Sequence, residues 1–287
     1  MRIGKRLEGL LLSPLGVLLV AALVVPAGIL FYYSFYHFVF FTRVGGATLE
    51  NYSRAFTYPA YRTFAGNTLW IALPTTVASV AAGYVLAYAI VFGRSRRRTL
   101  LFALLLTALM ASYLVRIYAW RTLLGDSGIV NSALVGAGII DQPLGFLLFS
   151  RTAVIMAESS LFIPFAALAF FAALAAISPE YREVSRDLGA GRVQTLWRVT
   201  IPLSGRSLLA VTSVVFFLSC ADYITPALVG GRNSQTIGVV IASYFGEAAQ
   251  YGLGAALSFL TLLAFVLAYT GLRTSMRAAR ILPHAVA

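Results

Sequence analysis

Six apolar runs constrain the fold of this chain more than any other feature of its sequence. A helix needs about 20 predominantly apolar residues to cross a bilayer, and each run is long enough. The runs occupy residues 10–33, 68–92, 99–120, 152–177, 207–229 and 253–272. Because lipid offers no hydrogen-bond partner to the backbone, a helix is the expected structure for each run. The sequence therefore predicts an all-α membrane protein with six transmembrane helices.

Composition leads to the same prediction. Of the 287 residues, 60% are hydrophobic and only 11% are charged. Soluble domains are roughly half apolar and about one quarter charged. A soluble domain of this length could not keep so much apolar surface away from water, which excludes most classes of soluble enzyme.

Rare residue types exclude further classes of protein. Lys5 is the only lysine and no glycine-rich loop precedes it, so the sequence lacks the phosphate-binding loop of ATPases. The two histidines, His37 and His284, lie near opposite ends of the chain, and Cys220 is the single cysteine. A zinc site needs several His or Cys ligands close together, and a serine–histidine–aspartate triad needs a histidine beside the serine. Two distant histidines and one cysteine provide neither arrangement. We therefore expect no metal, no cofactor and no catalytic residue in this chain.

Positive charge is divided unevenly between the two sides of the predicted membrane. The N-terminus, residues 93–98, residues 178–206 and the C-terminal tail carry 15 of the 22 Lys and Arg residues. Because basic residues accumulate on the cytoplasmic side, both termini are predicted to be cytoplasmic. The first run is too long for a signal peptide, so we expect an uncleaved first helix. The net charge of +12 then indicates anionic lipid, and not nucleic acid, as the partner of these arginines.

The predicted cytoplasmic segment at 178–206 has its own helical pattern. Ser178 suits an N-cap, Pro179 suits the first turn and Glu180 complements the helix dipole. Gly189 suits the left-handed position that ends a helix. The expected apolar contacts come from Tyr181, Val184, Ser185 and Leu188 on the first helix and from Val193, Leu196 and Trp197 on a second one.

These features predict a helix, a glycine corner and a second helix at the membrane surface. Two interpretations follow from the pattern alone. The two helices dock against a partner, or they rest on lipid as an interfacial amphipathic segment.

The segment also resembles the coupling motif of ABC-importer permeases, which reads Glu-Ala-Ala, three residues, Gly, nine residues, Ile-x-Leu-Pro. The matching positions are Glu183-Val184-Ser185, Gly189 and Val199-Thr200-Ile201-Pro202. The spacing fits without a gap, although Val184 and Ser185 replace the two alanines. The resemblance implies that ATPase subunits are coupled through Glu183, Val184, Ser185, Asp187, Gly189, Val199, Ile201 and Pro202.

Three further segments resemble permeases of the spermidine/putrescine type, at residues 49–52, 114–120 and 221–231. The resemblance implies the type I ABC importer fold in a bacterial inner membrane and a small, polyamine-like solute. It implies a second permease subunit in a heterodimer, two ATPase subunits that bind ATP and Mg, and an extracytoplasmic solute-binding protein. The implied divisions are a first helix with its extracytoplasmic segment at 1–63, a transporter core at 64–274 and a cytoplasmic tail at 275–287.

Three ionisable residues fall within or near the spans: Arg116, Glu158 and Asp222. At about 1.5 Å per helical residue, all three lie at similar height in the outer part of the bilayer. Charged residues inside a membrane usually pair or serve function. Arg116 pairs with a carboxylate to lock the bundle, or Asp222 lines an outer cavity with Tyr223 and Thr225, or the charges extend to the interface. In the second case, helix 5 would be loosened by Pro226, Gly230 and Gly231.

The sequence analysis favours a permease subunit of an ATP-driven importer that works by alternating access. An ion-gradient-driven secondary transporter would share the helix count and the buried carboxylates, but it would not need a double helix facing the cytoplasm. A membrane-embedded enzyme would need a histidine inside a polar span, and neither histidine is so placed.

Overall fold

The computed structural model describes residues 2–39, 41–93, 95–279 and 281 of the chain. Some residues used in the sequence analysis lie outside the described residues: Arg94 and Arg280 of the charge count, and positions 282–287 of the predicted tail, which include His284. The described part is mostly helical, as the apolar runs predict. Its two short strands form one antiparallel hairpin with His37 opposite Val44.

The helices and strands follow one another along the chain with short connections. In order they are α1 (Arg2–Tyr33), β1 (His37–Val39), β2 (Thr42–Val44), α2 (Glu50–Thr57), α3 (Pro59–Phe92), α4 (Ser95–Met110), α5 (Tyr113–Leu124), α6 (Ile129–Gly136), α7 (Arg151–Ala175), α8 (Glu180–Asp187), α9 (Arg192–Thr195), a π-helical turn (Leu196–Thr200), α10 (Ile201–Leu203), α11 (Gly205–Ala221), α12 (Ile224–Val229), a 3-10 turn (Arg232–Ser234), α13 (Ile237–Phe245) and α14 (Tyr251–Ala278).

Four of the described helices are long and apolar enough to cross a membrane: Gly16–Tyr33 of α1, then α3, α7 and α14. Two bent helix pairs satisfy the same test, and they bring the number of candidate spans to six if each pair is one span. The protein is therefore a mostly helical membrane protein with four to six candidate spans.

The third and fifth apolar runs are not single helices, which corrects the prediction of one helix for each run. Within the third run, α4 ends at Met110 and α5 begins at Tyr113, and the directions of residues 96–110 and 113–136 differ by 96°. Within the fifth run, Asp222 has extended backbone (ψ 121°) and separates α11 from α12. A further bend of 75° separates residues 192–203 from α11.

The structure divides into two compact units, Met1–Arg62 with Val240–Leu263, and Thr63–Val239 with Ala264–Ala287. In the first unit, the buried Asn51 donates hydrogen bonds of 2.9 Å to the carbonyl oxygens of both Ser34 and Tyr36. These bonds satisfy backbone groups released where α1 ends.

The hairpin of the first unit is joined to α2 by a contact between His37 and the carboxylate of Glu50. His37 Nε2 donates to Glu50 Oε2 at 2.9 Å, and Arg54 contacts the other carboxylate oxygen at 2.7 Å. The hydrogen bond from His37, followed by the charge of Arg54, lowers the pKa of Glu50. All three side chains are partly or largely exposed, so this group is a minor source of stability.

The second unit is organised around α7, which buries residues along its whole length. One half of α7 packs with α3, α5 and α12 in a cluster that includes Ile71, Ile117, Val154 and Val229. The other half packs with α3 and α11 around Phe170. All of these contacts are apolar, so shape complementarity and dispersion hold the helices together in lipid.

Gly83 permits the closest contact between α3 and α7. A Cβ atom at this position would lie 2.7 Å from Ala166 Cβ and 3.0 Å from the backbone nitrogen of Ala167. Small residues on both helices therefore allow the two backbones to approach, a common solution in membrane helix packing.

We predict that Gly83→Ala lowers the free energy of unfolding by about 1–3 kcal/mol, because a methyl group would overpack the contact with α7. Gly66→Ala, on the same helix, is the matched control, since a Cβ there meets nothing within 4 Å. Thermal unfolding of the purified protein in detergent measures both effects. Equal midpoints for the two variants would contradict the packing argument.

Candidate functional site

Residues 179–202, named here the coupling segment, contain the predicted helix, glycine corner and second helix. Gly189 has φ +82°, as expected for the residue that ends α8 in the left-handed conformation. Its N–H donates to the Arg186 carbonyl at 2.8 Å, and the next N–H, of Ala190, donates to the Ser185 carbonyl at 3.0 Å. This pair of bonds is a Schellman motif, which fixes the direction of the chain leaving the helix.

The second half of the coupling segment is less regular than predicted. After α9, residues 196–200 form a π-helical turn, and α10 contains Pro202. A proline ring collides with the carbonyl four residues earlier in an α-helix, and a wider turn relieves that contact. The start of α8 also differs from the predicted N-cap at Ser178, because Pro179 occupies the cap position and no side-chain hydrogen bond caps the helix.

The apolar side chains of the coupling segment do not all share one face. Ser185, which the pattern placed on the apolar face, is buried, and its Oγ lies 3.0 Å from Thr195 Oγ1 across the corner. Leu196 packs against the α3–α7–α11 cluster. Five large side chains face outward: Tyr181, Val184, Leu188, Val193 and Trp197.

The other predicted coupling residues differ in exposure between the two halves of the coupling segment. Glu183 and Asp187 on α8 are exposed beside the apolar side chains. Val199, Ile201 and Pro202 are half-buried. The coupling segment therefore presents an apolar surface with acidic neighbours on its first half and anchors its second half in the helical core.

Arg182 attaches α8 to α3. Its guanidinium carbon lies 3.7 Å from the centre of the Phe92 ring, at the last residue of α3. Cation–π contacts of this kind contribute about 0.5–2 kcal/mol, depending on exposure. The sequence analysis did not identify this pair, because no local spacing relates positions 92 and 182.

Asp222 lies at the break between α11 and α12 and caps α12. Its Oδ1 accepts from the N–H groups of Ile224 at 2.9 Å and Thr225 at 3.2 Å. Its Oδ2 accepts from Thr225 Oγ1 at 2.5 Å, and the Tyr113 hydroxyl donates to Oδ1 at 2.7 Å. The carboxylate therefore satisfies backbone groups that the break releases within a membrane segment.

Tyr113 is the residue of this group that the sequence analysis missed. It brings the start of α5 to Asp222 and Thr225, 109 and 112 positions away. Tyr223, by contrast, is 48% exposed and makes none of these hydrogen bonds. The structure therefore joins two of the predicted residues, Asp222 and Thr225, and places Tyr223 apart.

Arg116 donates hydrogen bonds at the other helix break, between α4 and α5. Its Nη2 donates to the Ala111 carbonyl at 3.1 Å, at the end of α4, and its Nη1 approaches the Ser160 carbonyl at 3.4 Å. Within the described part of the chain, no ion pair joins Arg116 to Glu158 or Asp222. The guanidinium thus acts on backbone carbonyls and not on a carboxylate.

Glu158 is fully buried in the middle of the second unit. Ser219, one turn before Asp222 on α11, donates its hydroxyl to Glu158 Oε2. Oε1 has no hydrogen-bond partner, and neither have the nearby hydroxyls of Thr75 on α3 and Ser159 on α7. Glu158 and Asp222 therefore contribute two carboxyl groups without a basic partner to one region of the helical core.

The described residues contain no group of three or more His, Cys, Asp or Glu side chains that could hold a metal ion. The polar groups of this region are hydroxyls, carboxyls, the Arg116 guanidinium and one indole, whose Nε1 on Trp120 donates to Ser160 Oγ at 2.7 Å. Such groups can bind a solute by hydrogen bonds and charge.

We predict that Asp222→Ala lowers the free energy of unfolding by about 1–3 kcal/mol, because α12 loses its cap and Tyr113 loses its acceptor. Asp222→Asn keeps one carbonyl oxygen for these donors and costs less. Asp141→Ala, at an exposed position, is the control. Thermal unfolding in detergent ranks the three variants, and equal losses for Ala and Asn would show that capping by Oδ1 is unimportant.

Comparison with known proteins extends these observations. The family model described as "Binding-protein-dependent transport system inner membrane component" matches residues 68–277. The spermidine/putrescine transport system permease protein PotB of Escherichia coli is 30% identical over 211 residues, which cover 74% of this chain and 76% of PotB. The inner membrane ABC transporter permease protein YdcU of Escherichia coli is 28% identical over 231 residues, covering 77% and 73%.

A solved structure resembles the whole chain. A bacterial alginate ABC transporter, crystallised in complex with a periplasmic protein bound to an alginate pentasaccharide, aligns with a TM-score of 0.77 at 16% identity. The alignment covers 96% of each chain. At this identity the match shows a shared fold.

Proposed function

The chain belongs to the family of binding-protein-dependent transport system inner membrane components, and from that membership we propose that it forms half of the translocation pathway of an ATP-driven importer. It is a multi-pass inner-membrane permease and a non-catalytic subunit. In this proposal ATP and Mg bind to two partner ATPase subunits, and an extracytoplasmic binding protein delivers the solute. A second permease subunit, in a heterodimer, forms the other half of the pathway.

The proposed topology has six spans with both termini in the cytoplasm. It is supported by the six candidate spans that result when each bent pair counts as one, and by the position of 15 of the 22 basic residues. The proposed divisions are 1–63, a core at 64–274 with the coupling segment, and a tail at 275–287. The family match at 68–277 supports the core.

The coupling segment is proposed to contact the ATPase. The observation that carries this role is the exposed apolar surface of the coupling segment, where Leu188, directly after α8, is 83% exposed and Trp197, in the π-helical turn, is 64% exposed. Apolar surface of this kind is characteristic of protein–protein interfaces. The proposed contact and lever residues are Glu183, Val184, Ser185, Asp187, Gly189, Val199, Ile201 and Pro202.

The proposed solute is a small organic cation of the polyamine type. PotB relatives support this proposal, and so do two carboxyl groups in the helical core without a basic partner. An ammonium group is the complement that such carboxyls lack. The proposed pathway residues are Asp222, Tyr223, Thr225, Glu158 and Arg116, among which Arg116 holds backbone carbonyls at the edge of the group.

Reconstitution tests this function against the alternative of an ion-gradient-driven transporter. The assembled complex, in liposomes with its binding protein, should take up spermidine when ATP is present on the ATPase side. Uptake should survive an ionophore that collapses ion gradients. Uptake that stops with the ionophore and proceeds without ATP would establish the secondary-transporter alternative.

In the same assay we predict that Gly189→Val hydrolyses ATP but transports less solute per ATP. A Cβ at position 189 meets nothing within 4 Å, so the effect arises from φ +82°, which costs a β-branched residue about 1–3 kcal/mol. Gly191→Val is the matched control, because Gly191 has extended backbone and equally open space. A wild-type ratio in Gly189→Val would remove the corner from the coupling mechanism.

We predict that Asp222→Asn lowers spermidine uptake about tenfold, while the complex still assembles, because the charge is lost and the cap oxygen is kept. Asp141→Asn removes an exposed carboxylate and should leave uptake unchanged. Initial uptake rates at several spermidine concentrations measure the effect. Unchanged uptake by Asp222→Asn would show that Asp222 is only a helix cap.

A further inference from the structure

Buried hydroxyl groups connect the coupling segment to the membrane core. Five residues carry them: Ser185, Thr195, Thr200, Ser204 and Tyr84, each at most 9% exposed. We name these five residues the hydroxyl chain. Four of them belong to separate elements, α8, α9, the π-helical turn and α3, and Ser204 lies at the bend between α10 and α11. Apolar residues would fill these positions at lower desolvation cost, so the hydroxyls require a reason.

The hydroxyl chain begins across the glycine corner. Ser185 Oγ on α8 lies 3.0 Å from Thr195 Oγ1 on α9, and this bond joins the two arms of the corner. Thr200 Oγ1 then approaches the Thr195 carbonyl at 3.4 Å, across the π-helical turn. Each step connects one element of the coupling segment to the next.

Ser204 continues the connection to α3. Its hydroxyl donates to the Thr200 carbonyl at 2.8 Å and lies 3.2 Å from the Ile201 carbonyl. A serine hydroxyl has one hydrogen and can still accept. The Tyr84 hydroxyl on α3 lies 2.9 Å from Ser204 Oγ, a hydrogen bond in which either oxygen can donate. The hydroxyl chain therefore ends on α3.

Two of these bonds have no role in local capping. A hydroxyl that only satisfies the carbonyls of a bend needs no partner on another element, and Ser204 already satisfies Thr200. The bonds Ser185–Thr195 and Ser204–Tyr84 join side chains of different elements. The first bond bridges the glycine corner, and the second ties the 75° bend to α3. The π-helical turn between them is spanned by the contact of Thr200 with the Thr195 carbonyl. These are the places where the segment would otherwise yield.

We propose that the hydroxyl chain is a set of positioning residues that holds the coupling segment at a fixed angle to α3, so that displacement of α8 moves the membrane helices. The inference rests on the proposed function. The Arg182–Phe92 contact holds α8 to the same helix eight residues further along, so α8 has two attachments to α3. If one attachment is lost, the π-helical turn deforms when α8 is displaced, and the displacement does not reach the membrane helices.

The test measures solute transported per ATP hydrolysed by the reconstituted complex. Tyr84→Phe and Ser204→Ala each remove one side of the same bond, and each should lower the ratio about three- to tenfold. Ser204→Ala also removes the bond to the Thr200 carbonyl, so the double variant should lose no more than Ser204→Ala alone, because Tyr84→Phe removes a bond that this variant already lacks. ATP hydrolysis and assembly of the complex should remain.

Matched controls separate positioning from packing. Tyr88→Phe removes a phenol oxygen one turn along α3. Ser213→Ala removes a buried hydroxyl whose bond, of 2.8 Å to the Leu209 carbonyl, stays within α11. Both should keep the wild-type ratio. If Ser204→Ala fails to assemble, Thr195→Val interrupts the chain at its other end and should lower the ratio in the same way.

The outcomes distinguish this inference from the proposed function. A wild-type complex without ATP-driven uptake overturns the proposed function and this inference with it. A coupled wild type together with an unchanged ratio in Tyr84→Phe overturns the hydroxyl chain alone. Additive losses in the double variant, or equal losses in the controls, also overturn it, because they indicate general destabilisation.

Discussion

The absence of hydrogen-bond partners in lipid is the constraint on which the rest of this structure depends. A continuous helix satisfies its own backbone, but each break in a membrane segment exposes carbonyl and N–H groups that water cannot reach. At the break before α5, Arg116 donates to the Ala111 carbonyl. At the break before α12, Asp222 accepts from two N–H groups, and at the bend between α10 and α11 Ser204 donates to the Thr200 carbonyl. At each of these interruptions a polar side chain replaces a lost backbone partner.

This constraint changes how the intramembrane charges are interpreted. Arg116 has a structural task that accounts for its position without a carboxylate partner. Asp222 has a capping task, yet its negative charge remains without a basic partner, and capping alone would be served by a neutral asparagine. Glu158 lies at no break and caps nothing, and one of its oxygens is unpartnered. Asp222 thus lacks a basic partner and Glu158 has an oxygen without a hydrogen bond, and no structural task explains either feature. These two features support the place of both carboxyls in the proposed pathway.

The coupling segment combines a rigid corner with a turn that can yield. Gly189 and its two backbone bonds fix the angle between α8 and α9. The π-helical turn that follows is wider and accommodates Pro202. A lever built with such a turn transmits force only if other bonds hold the chain on both sides of it. The Ser185–Thr195 bond holds the corner before the turn, the Thr200–Thr195 contact spans the turn, and the Ser204–Tyr84 bond ties the bend after it to α3. Polar bonds are suitable because they are directional, whereas apolar contacts permit sliding.

The sequence by itself determined the features that depend on neighbours along the chain. Apolar run length predicted the membrane helices, and the Gly189 corner followed from local pattern, as the positive φ confirms. Tertiary structure alone decided that Tyr113 meets Asp222 and that Ser185 points inward to Thr195. It also broke the third run between α4 and α5, where no proline or glycine marks the position. In the fifth run Pro226, Gly230 and Gly231 indicate a loosened helix, but tertiary structure decided that the break lies at Asp222. The reason is physical: run length records how well a segment dissolves in lipid, whereas a helix break depends on distant side chains that replace its lost backbone bonds.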